Sequence, residues 1–537
     1  MSLPIYWFGM PGGNDLPQHY RFIHTFYGAI HSGDVYPAWS GDTNLGFGDV
    51  GIRFYPPLTY YVVVLFRSPT DSWTTALAGS ICFWFFVSGL GLFLLAREWF
   101  SEKGSLAAAV VFMAMPYHVN QVYNAGLLAE FTGLAILPFC FLFVRRTMAA
   151  GRAIDAAGLA VSFALLILTH LPMVIIGSIG LAAFALASIE RRKIVSRLLN
   201  LGTAVLVSLA ASSFYWLRMY AELGLVMHTQ PQFTDRTYDF RQNFLASILH
   251  VPSSEYAATS LWFTDMLFAI TAAMIIPAIA IFFLRHRDDE RRIIYPVLVV
   301  LGVSVFISTA LSSLLWENVS ILQKIQFPWR FLGLISLAGS IVIAAGVDEI
   351  GGVFATKLRP LGLIAVGLVL AGLAFTAAQV IRPAAYPSRT EFDVGFERYR
   401  TDKSNECWWP IFAYDRVFSN RELASIDDGS VEILKWTSED REFLVHAGTG
   451  TAQVRVATLY FPFWTATANG RELELSWADD GAILINVPEH TTRVRMTFER
   501  PTYEVLSRYV SLVTWSLLLL AFGAWAAARI RRRTFVQ

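Results

Sequence analysis

Long runs of apolar residues constrain the fold of this chain more than any other feature. A helix needs about 20 mainly apolar residues to cross the hydrocarbon core of a bilayer. Runs that approach this length are Ser72–Ala96, Ser105–Val119, Phe131–Val144, Ala156–Thr169, Met173–Ser188, Leu201–Leu217, Leu261–Leu284, Ile293–Leu315, Phe331–Val347, Leu361–Ile381 and Tyr509–Ala528. We therefore predict a membrane all-α fold, a polytopic helical bundle of about 11 transmembrane helices.

The composition supports a membrane location and excludes other classes of protein. Of the 537 residues, 55% are hydrophobic and 15% are charged, whereas soluble domains carry about 25% charged residues. The net charge is +1, and no basic cluster is interleaved with aromatic residues, so we expect no nucleic-acid partner. The stretch Tyr55–Phe66 is too short to span. We predict an interfacial or re-entrant helix there.

The positions of lysine and arginine predict the orientation, because short cytoplasmic loops retain these residues. They are concentrated in alternate loops, at Arg145, Arg146, Arg152, Arg191, Arg192, Lys193, Arg197, Arg285, Arg287, Arg291 and Arg292, and the chain ends in "RIRRRTFVQ". By parity, the first 55 residues and the polar block Arg382–Arg508 face outward. The chain is thus predicted to be a multi-pass protein of the cell (inner) membrane with a cytoplasmic C-terminal tail.

The polar block before the last span has the pattern of a β-domain. Apolar and polar residues alternate in "VRVATLYFPFWTATANGRELELSW", and Asn469-Gly470 and Asp480-Gly481 are hairpin signals. We predict a β-sandwich over Ser388–Pro501. The predicted organisation is an outer loop with interfacial helices (1–71), a helical bundle (72–381) with an outer loop (218–260), an extracytoplasmic β-sandwich domain (382–506), and a last span with a basic tail (507–537).

The N-terminal segment "GGNDLPQHYRFIHTF" carries ionisable residues before any long apolar run. Asp15 and His19 are four residues apart, so on a helix they share one face. The pair could hold a divalent ion or act as a base with its partner. The alternative is a solvated capping aspartate beside a surface histidine, and the spacing alone leaves both interpretations open.

Further ionisable residues fall on the same predicted side of the membrane. Glu130 opens a span, where an acid is favoured by the helix dipole even without a function. His170 lies at a helix end, where a lone histidine is often structural. In "KIQFPWRFL", Arg330 is either an interfacial anchor whose guanidinium reaches the headgroups or the ligand of a lipid phosphate.

Four blocks in this order resemble a family of large bacterial membrane proteins described as "6-pyruvoyl-tetrahydropterin synthase-related". They are "GNDLPQHYRFIHTFYGAIHSGDVYPAWSGDTNLGFGDVGIRFYPPLTYY", "NAGLLAEFTGLAILP", "LTHLPM" and "IQFPWRFLG". The family in turn resembles the C-type superfamily of membrane glycosyltransferases (GT-C). The stretch "YFPFWTATANGRELEL" also resembles the outer β-domain of membrane proteins that glycosylate cell-envelope polymers.

The resemblance implies an enzyme that takes sugar from a polyprenyl-phosphate carrier. The residues that fall on the family's blocks are Asp15, His19, Glu130, His170, Gln326, Trp329 and Arg330. Asp15 and Glu130 are the implied catalytic residues, and the other five are implied to bind substrate. Asp15 with His19 is the candidate site for Mg²⁺ or Mn²⁺, and the implied acceptor is a glycan, lipid or protein.

Two features depart from the family pattern. The family usually has a transmembrane helix before the acidic loop, so we expect either an in-frame apolar segment upstream or a dispensable first helix. "NAGLLAEF" also lacks the Arg-Gly pair that is more usual before this block. Two other functions stay open at this stage: a flippase or transporter of a lipid carrier, and a non-catalytic glycan-binding protein of envelope assembly.

Overall fold

Helices make up most of the structure, a computed structural model that describes residues 2–189, 193–231, 239–246, 255–285, 294–448, 452–488 and 491–534. The α-helices, numbered α1 to α19 in chain order, are Leu3–Phe8, Leu16–His31, Leu58–Arg67, Trp73–Ala96, Glu102–Ala114, Pro116–Tyr123, Leu128–Ala150, Ala153–Ile167, Leu171–Ala187, Ile194–Ala211, Ser213–Glu222, Glu255–Arg285, Tyr295–Ser308, Ser313–Asn318, Ser320–Gln323, Leu332–Phe354, Arg359–Phe375, Arg389–Phe396 and Thr502–Thr534. Parts of the predicted basic loops and of the loop 218–260 lie outside these residues.

Seven helical segments among the described residues are long and apolar enough to cross a membrane: Trp73–Ala96, Leu128–Ala150, Ile194–Ala211, Leu261–Arg285, Pro328–Glu349, Arg359–Ile381 and Thr502–Arg531. The other four predicted spans fall on helices of 13 to 17 residues, α5, α8, α9 and α13. The chain is therefore a multi-pass helical membrane protein, and the count of eleven spans remains a prediction. Helix α3, Leu58–Arg67, covers most of the stretch Tyr55–Phe66, and its interfacial or re-entrant placement stays a prediction.

Local sequence explains several helix ends that the apolar runs did not show. The predicted span Ser105–Val119 is divided into α5 and α6 at Pro116, because the residue before a proline favours extended backbone and Met115 has ψ 136°. Ser72 caps α4 by accepting the Thr75 N–H. Helix α7 ends at Gly151, whose φ of +64° suits glycine.

Two spans form the centre of the bundle. In their most apolar parts, 83% of the residues of Leu128–Ala150 and 89% of those of Pro328–Glu349 are buried, whereas only 11% of those of Thr502–Arg531 are. Glu130 lies in the first turn of the first of these spans, and Arg330 lies at the start of the second. The two most enclosed helices therefore carry charged side chains at their beginnings.

A domain of antiparallel strands lies between the last two of these membrane-spanning helices. The strands, β1 to β9, are Ala424–Ile426, Gly429–Trp436, Asp440–Ala447, Ala452–Leu459, Trp464–Ala468, Arg471–Leu473, Leu475–Trp477, Ala482–Val487 and Thr491–Phe498. They form a four-stranded sheet, β1-β4-β8-β7, and a five-stranded sheet, β2-β3-β9-β5-β6. Both predicted hairpins are present, and Asn469 and Gly470 have the positive φ values that a type I′ turn requires.

The prediction of strands from Ser388 onward was wrong for its first part. A capping box between Ser388 and Glu391 starts α18, and short 3₁₀ segments follow it, so the first strand begins at Ala424. The core of the β-domain also includes residues from the N-terminal loop, namely Ala38, Trp39, Phe47, Val50 and Phe54. The N-terminal loop and the β-domain therefore lie at the same end of the bundle.

Candidate functional site

Ionisable side chains from four distant segments meet at this end of the bundle. The segments are the residue before α2, the first turn of α7, the turn between α8 and α9, and the 3₁₀ segment Pro328–Phe331. The charge of Arg330 acts on Asp15, Glu130 and His170. Residues that are more than 300 positions apart in the chain thus form one electrostatic cluster.

Glu130 and Arg330 form a buried ion pair at the centre of the cluster. Glu130 is fully buried and Arg330 is 5% exposed. Arg330 Nε lies 3.0 Å from Glu130 Oε2, and the Tyr117 hydroxyl donates a hydrogen bond to Glu130 Oε1. Glu130 Oε1 therefore accepts a hydrogen bond, whereas Oε2 is held by the ion pair with Arg330 without a well-aligned hydrogen bond.

The segment before Arg330 holds its guanidinium in place. Arg330 Nη1 donates to the Ile325 carbonyl at 2.7 Å and to Gln326 Oε1 at 3.0 Å. Gln326 has φ +70°, a conformation that costs a non-glycine residue about 1–3 kcal/mol. The guanidinium lies against the rings of Phe327 and Trp329, with centroids at 4.9 and 5.7 Å. Arg330 Nη2 makes no hydrogen bond to any described residue and remains accessible.

Asp15 has a carboxylate without a protein partner in the described part of the chain. It occupies the N-cap position of α2, but its side chain makes no capping hydrogen bond, so it does not act as the capping aspartate of the alternative interpretation. Burial raises the pKa of Asp15 above its ordinary value, and the positive charge of Arg330 partly offsets that rise. A raised pKa makes a carboxylate a better proton acceptor.

Two histidines border the same cluster. His19 is 2% exposed, its Nδ1 lies 2.9 Å from the Tyr60 hydroxyl, and burial lowers the pKa of its ring to about 3. Burial and the charge of Arg330 lower the pKa of His170 as well. Nδ1 of His170 is buried without a hydrogen-bond partner among the described residues. The Nε2 atoms of His19 and His170 also have no partner among these residues, but they are accessible. Both rings are therefore neutral at physiological pH.

Two glycines hold the Asp15 segment against the start of α7. The Asn14 N–H donates to the Ala125 carbonyl at 3.2 Å. A Cβ on Gly13 would lie 2.7 Å from the Gly126 Cα, a backbone atom, so only glycine allows this approach. Gly126 also has φ +67°. This backbone contact fixes the distance between Asp15 and the helix that carries Glu130.

The described residues do not supply a complete protein-ligated metal site. No group of three or more His, Cys, Asp or Glu side chains that could hold a metal ion occurs among them. Asp15 and His19 would provide two ligands, so a Mg²⁺ or Mn²⁺ ion there would take its other ligands from water and a phosphate, as Mg²⁺ commonly does.

Sequence reasoning missed three polar partners of the cluster. Tyr60 contacts His19, Tyr117 contacts Glu130, and Asn243 Oδ1 accepts a hydrogen bond from Trp329 Nε1 at 3.2 Å. The tyrosines belong to aromatic stretches that resemble interfacial anchors, and Asn243 lies in a loop without a recognisable motif. Their roles become visible only once the fold brings them to the site.

The fold and the cluster define a multi-pass membrane protein with a polar site at the end of the bundle that carries the β-domain. A family model described as "6-pyruvoyl-tetrahydropterin synthase related domain; membrane protein" matches residues 52–370. The chain belongs to this family. Comparison of the sequence with curated proteins gave no match.

Several solved structures are similar to this chain. They include the arabinofuranosyltransferase AftD from Mycobacteria, with 15% identity and a TM-score of 0.46. The match covers 71% of this chain and 26% of AftD. ArnT from Cupriavidus metallidurans bound to undecaprenyl phosphate has 14% identity, a TM-score of 0.40 and 74% coverage of both chains. The Archaeoglobus fulgidus oligosaccharyltransferase tethered with an acceptor peptide has 14% identity, a TM-score of 0.44, and coverage of 76% of this chain and 57% of that one.

Proposed function

We propose that this protein is an integral-membrane GT-C-type glycosyltransferase that moves a sugar from a polyprenyl-phosphate donor to an envelope acceptor at the outer face of the membrane. One observation carries the proposal: Asp15, whose carboxylate makes no hydrogen bond or ion pair among the described residues, lies within electrostatic reach of Arg330, whose guanidinium is paired with Glu130. A proton acceptor and a phosphate ligand are the two groups that this transfer needs. The sequence blocks that resemble GT-C enzymes support the same function.

The proposed reaction is an inverting displacement at the anomeric carbon. Asp15 accepts the proton of an acceptor hydroxyl, and the oxygen forms a bond to the anomeric carbon. The bond between that carbon and the phosphate oxygen breaks, and its electron pair leaves with the polyprenyl phosphate. Arg330 Nη2 donates a hydrogen bond to this phosphate as its charge increases. Because both oxygens of Glu130 are engaged, its role is to position Arg330.

The remaining predicted residues surround this reaction. Gln326 and Trp329 hold the segment of Arg330, and His19 and His170 border the phosphate. A Mg²⁺ or Mn²⁺ ion at Asp15 and His19 would supply charge stabilisation to the phosphate. The β-domain is a candidate platform for a glycan, lipid or protein acceptor.

The direct test uses proteoliposomes that contain the purified protein and a panel of undecaprenyl-phosphate sugars labelled in the sugar. We expect labelled sugar to appear on an acceptor extracted from cell envelopes, with release of undecaprenyl phosphate in equal amount. Movement of intact donor across the bilayer without release of the phosphate would instead indicate a flippase. If no donor gives either transfer of sugar or release of undecaprenyl phosphate, the proposal is wrong.

Replacing Arg330 by lysine should reduce transfer about 100-fold, the scale of losing one stabilising donor. A single ammonium cannot contact Glu130, the Ile325 carbonyl and Gln326 while leaving a nitrogen free for phosphate. The measurement is the initial rate of phosphate release. Arg241→Lys is the matched control, because Arg241 is 56% exposed and should keep the wild-type rate. Equal rates for the two variants would show that Arg330 does not bind the phosphate, and only its interpretation as an interfacial anchor would remain.

Gly13→Ala should reduce the rate by one to two orders of magnitude, since a displacement of about 1 Å can cost 100-fold. The new Cβ would push the segment of Asp15 away from Gly126. Gly12→Ala is the matched control, because a Cβ on Gly12 meets no atom within 4 Å. Rates are measured with saturating donor. A Gly13→Ala variant as active as Gly12→Ala would show that this backbone contact does not position Asp15.

A further inference from the structure

The hydroxyl of Tyr60 and the imidazole of His19 form an enclosed pair next to Asp15. Tyr60 is fully buried, and its ring packs against Phe22 and Phe26, with centroids at 5.6 and 5.5 Å. Its hydroxyl lies 2.9 Å from His19 Nδ1. The negative charge of Asp15 also acts on Tyr60. Packing therefore fixes the hydroxyl at one edge of the imidazole, on the border of the candidate site.

We propose that Tyr60 is a positioning residue that donates its O–H to Nδ1 of His19, so that the ring keeps its proton on Nε2 and offers a hydrogen-bond donor to the donor phosphate. This inference rests on the proposed function for the identity of the ligand. It assigns a role to Tyr60 and makes His19 a hydrogen-bond donor instead of a metal ligand.

The direction of the hydrogen bond follows from the partners of Tyr60. In the described part of the chain, its hydroxyl has no acceptor other than His19 Nδ1, and leaving a buried O–H unpaired costs about 1–3 kcal/mol. The opposite direction, with Nδ1 as the donor, would give the tautomer that a metal-ligating histidine uses. Such histidines usually donate to a carboxylate, a backbone carbonyl or water, whereas the partner of Nδ1 here is the phenol of Tyr60.

The other edge of the ring is available for a ligand. Nε2 of His19 makes no hydrogen bond among the described residues and is not sealed from solvent, although the side chain as a whole is 2% exposed. His19 and Arg330 both lie close enough to His170 for a charge on either side chain to lower the pKa of His170. The proposal therefore places the donor phosphate among these three side chains.

The primary test is the tautomer of His19, read from ¹⁵N spectra of histidine-labelled protein in liposomes. His19→Gln identifies the signal among the ten histidines. We expect wild-type His19 to be protonated at Nε2, and Tyr60→Phe to give a mixture of tautomers. Protonation at Nδ1 in the wild type would overturn the proposal. This readout needs no substrate, so it stands apart from the test of transfer.

A double-mutant comparison separates positioning from simple support of the fold. Tyr60→Phe should lower kcat about tenfold, in the range for residues that orient a site group. His19→Gln keeps an N–H donor near the position of Nε2, and adding Tyr60→Phe to it should cause no further loss. An equal loss in both backgrounds would overturn the proposal. Tyr61→Phe is the control, because the Tyr61 hydroxyl donates to the Val35 carbonyl, and it should retain full activity.

Discussion

Asp15→Asn is expected to lower the rate of sugar transfer by two to four orders of magnitude, the contribution typical of a general base. The amide is nearly the same size as the carboxylate, but it cannot accept the proton of the acceptor hydroxyl. The Glu130–Arg330 pair does not use Asp15, so the KM for the polyprenyl-phosphate donor should change little. The measurement is kcat for transfer in proteoliposomes at saturating donor.

The same substitution should not lower the stability of the protein. The Asp15 carboxylate makes no capping hydrogen bond and no ion pair within the described residues, so the thermal unfolding midpoint should not fall below that of the wild type. Asp42→Asn is the matched control, because Asp42 lies in the same N-terminal loop and its side chain is 67% exposed. Transfer by Asp15→Asn at the rate of Asp42→Asn would remove Asp15 from the mechanism.

A chelation experiment distinguishes a base from a metal ligand at Asp15. If the carboxylate acts only as a base, wild-type activity should survive chelator treatment, and Mg²⁺ or Mn²⁺ should not restore Asp15→Asn. If it holds an ion, the chelated wild type should lose activity and recover it when either metal is added back. Asp15 is essential in either case. The chelator experiment therefore distinguishes a general base from a metal ligand, which the Asp15→Asn variant alone does not do.

The sequence predicted the parts of the molecule that depend on local pattern. Apolar runs located the long spans, and alternation with Asn469-Gly470 located the hairpins of the β-domain. Asp15, Glu130 and Arg330 could be singled out because ionisable residues are rare beside such runs and because their blocks resemble a family. The pairing of Glu130 with Arg330 was not predictable from the pattern, because it joins positions 200 residues apart.

Features that depend on long-range contact could not be predicted in the same way. Trp39 and Phe54 are buried in the core of a β-domain whose strands begin about 370 residues later, and no local periodicity indicates this. Tyr60 and Tyr117 resemble ordinary interfacial aromatic residues until the fold places them beside His19 and Glu130. The candidate site is therefore predictable in its charged residues and not in the residues that orient them.

Arg53→Met is expected to destabilise the protein by about 3–5 kcal/mol, the cost of removing one partner from a buried ion pair. Arg53 Nη2 lies 2.6 Å from both Glu222 Oε1 and Glu504 Oε2, and none of these side chains is more than 1% exposed. The substitution leaves the buried Glu222 without a cation among the described residues, whereas Glu504 keeps Arg508 at 2.7 Å and Arg218 at 3.5 Å. The measurement is thermal unfolding in detergent, followed by limited proteolysis.

The location of this ion network predicts which part of the protein should unfold first. Arg53 belongs to the N-terminal loop that enters the β-domain core, whereas Glu222 ends α11 and Glu504 lies in the first turn of α19. Without Arg53, the β-domain and its attached loop should separate from the bundle, so early proteolytic cleavage should occur in the N-terminal loop or just before Glu504. Cleavage confined to the membrane helices would contradict this account.

Two further variants show whether the loss comes from unpaired charge. Arg495→Met is the control, because Arg495 is 59% exposed and pairs with Asp440 on the surface of the β-domain, where an ion pair contributes about 0–1 kcal/mol. Replacing Arg53, Arg218, Glu222 and Glu504 together by methionine removes the fully buried charges of the network and should recover much of the lost stability. If this quadruple variant is less stable than Arg53→Met, the hydrogen bonds that Glu222 and Glu504 accept from Tyr503 and Arg508 outweigh the cost of the unpaired charge.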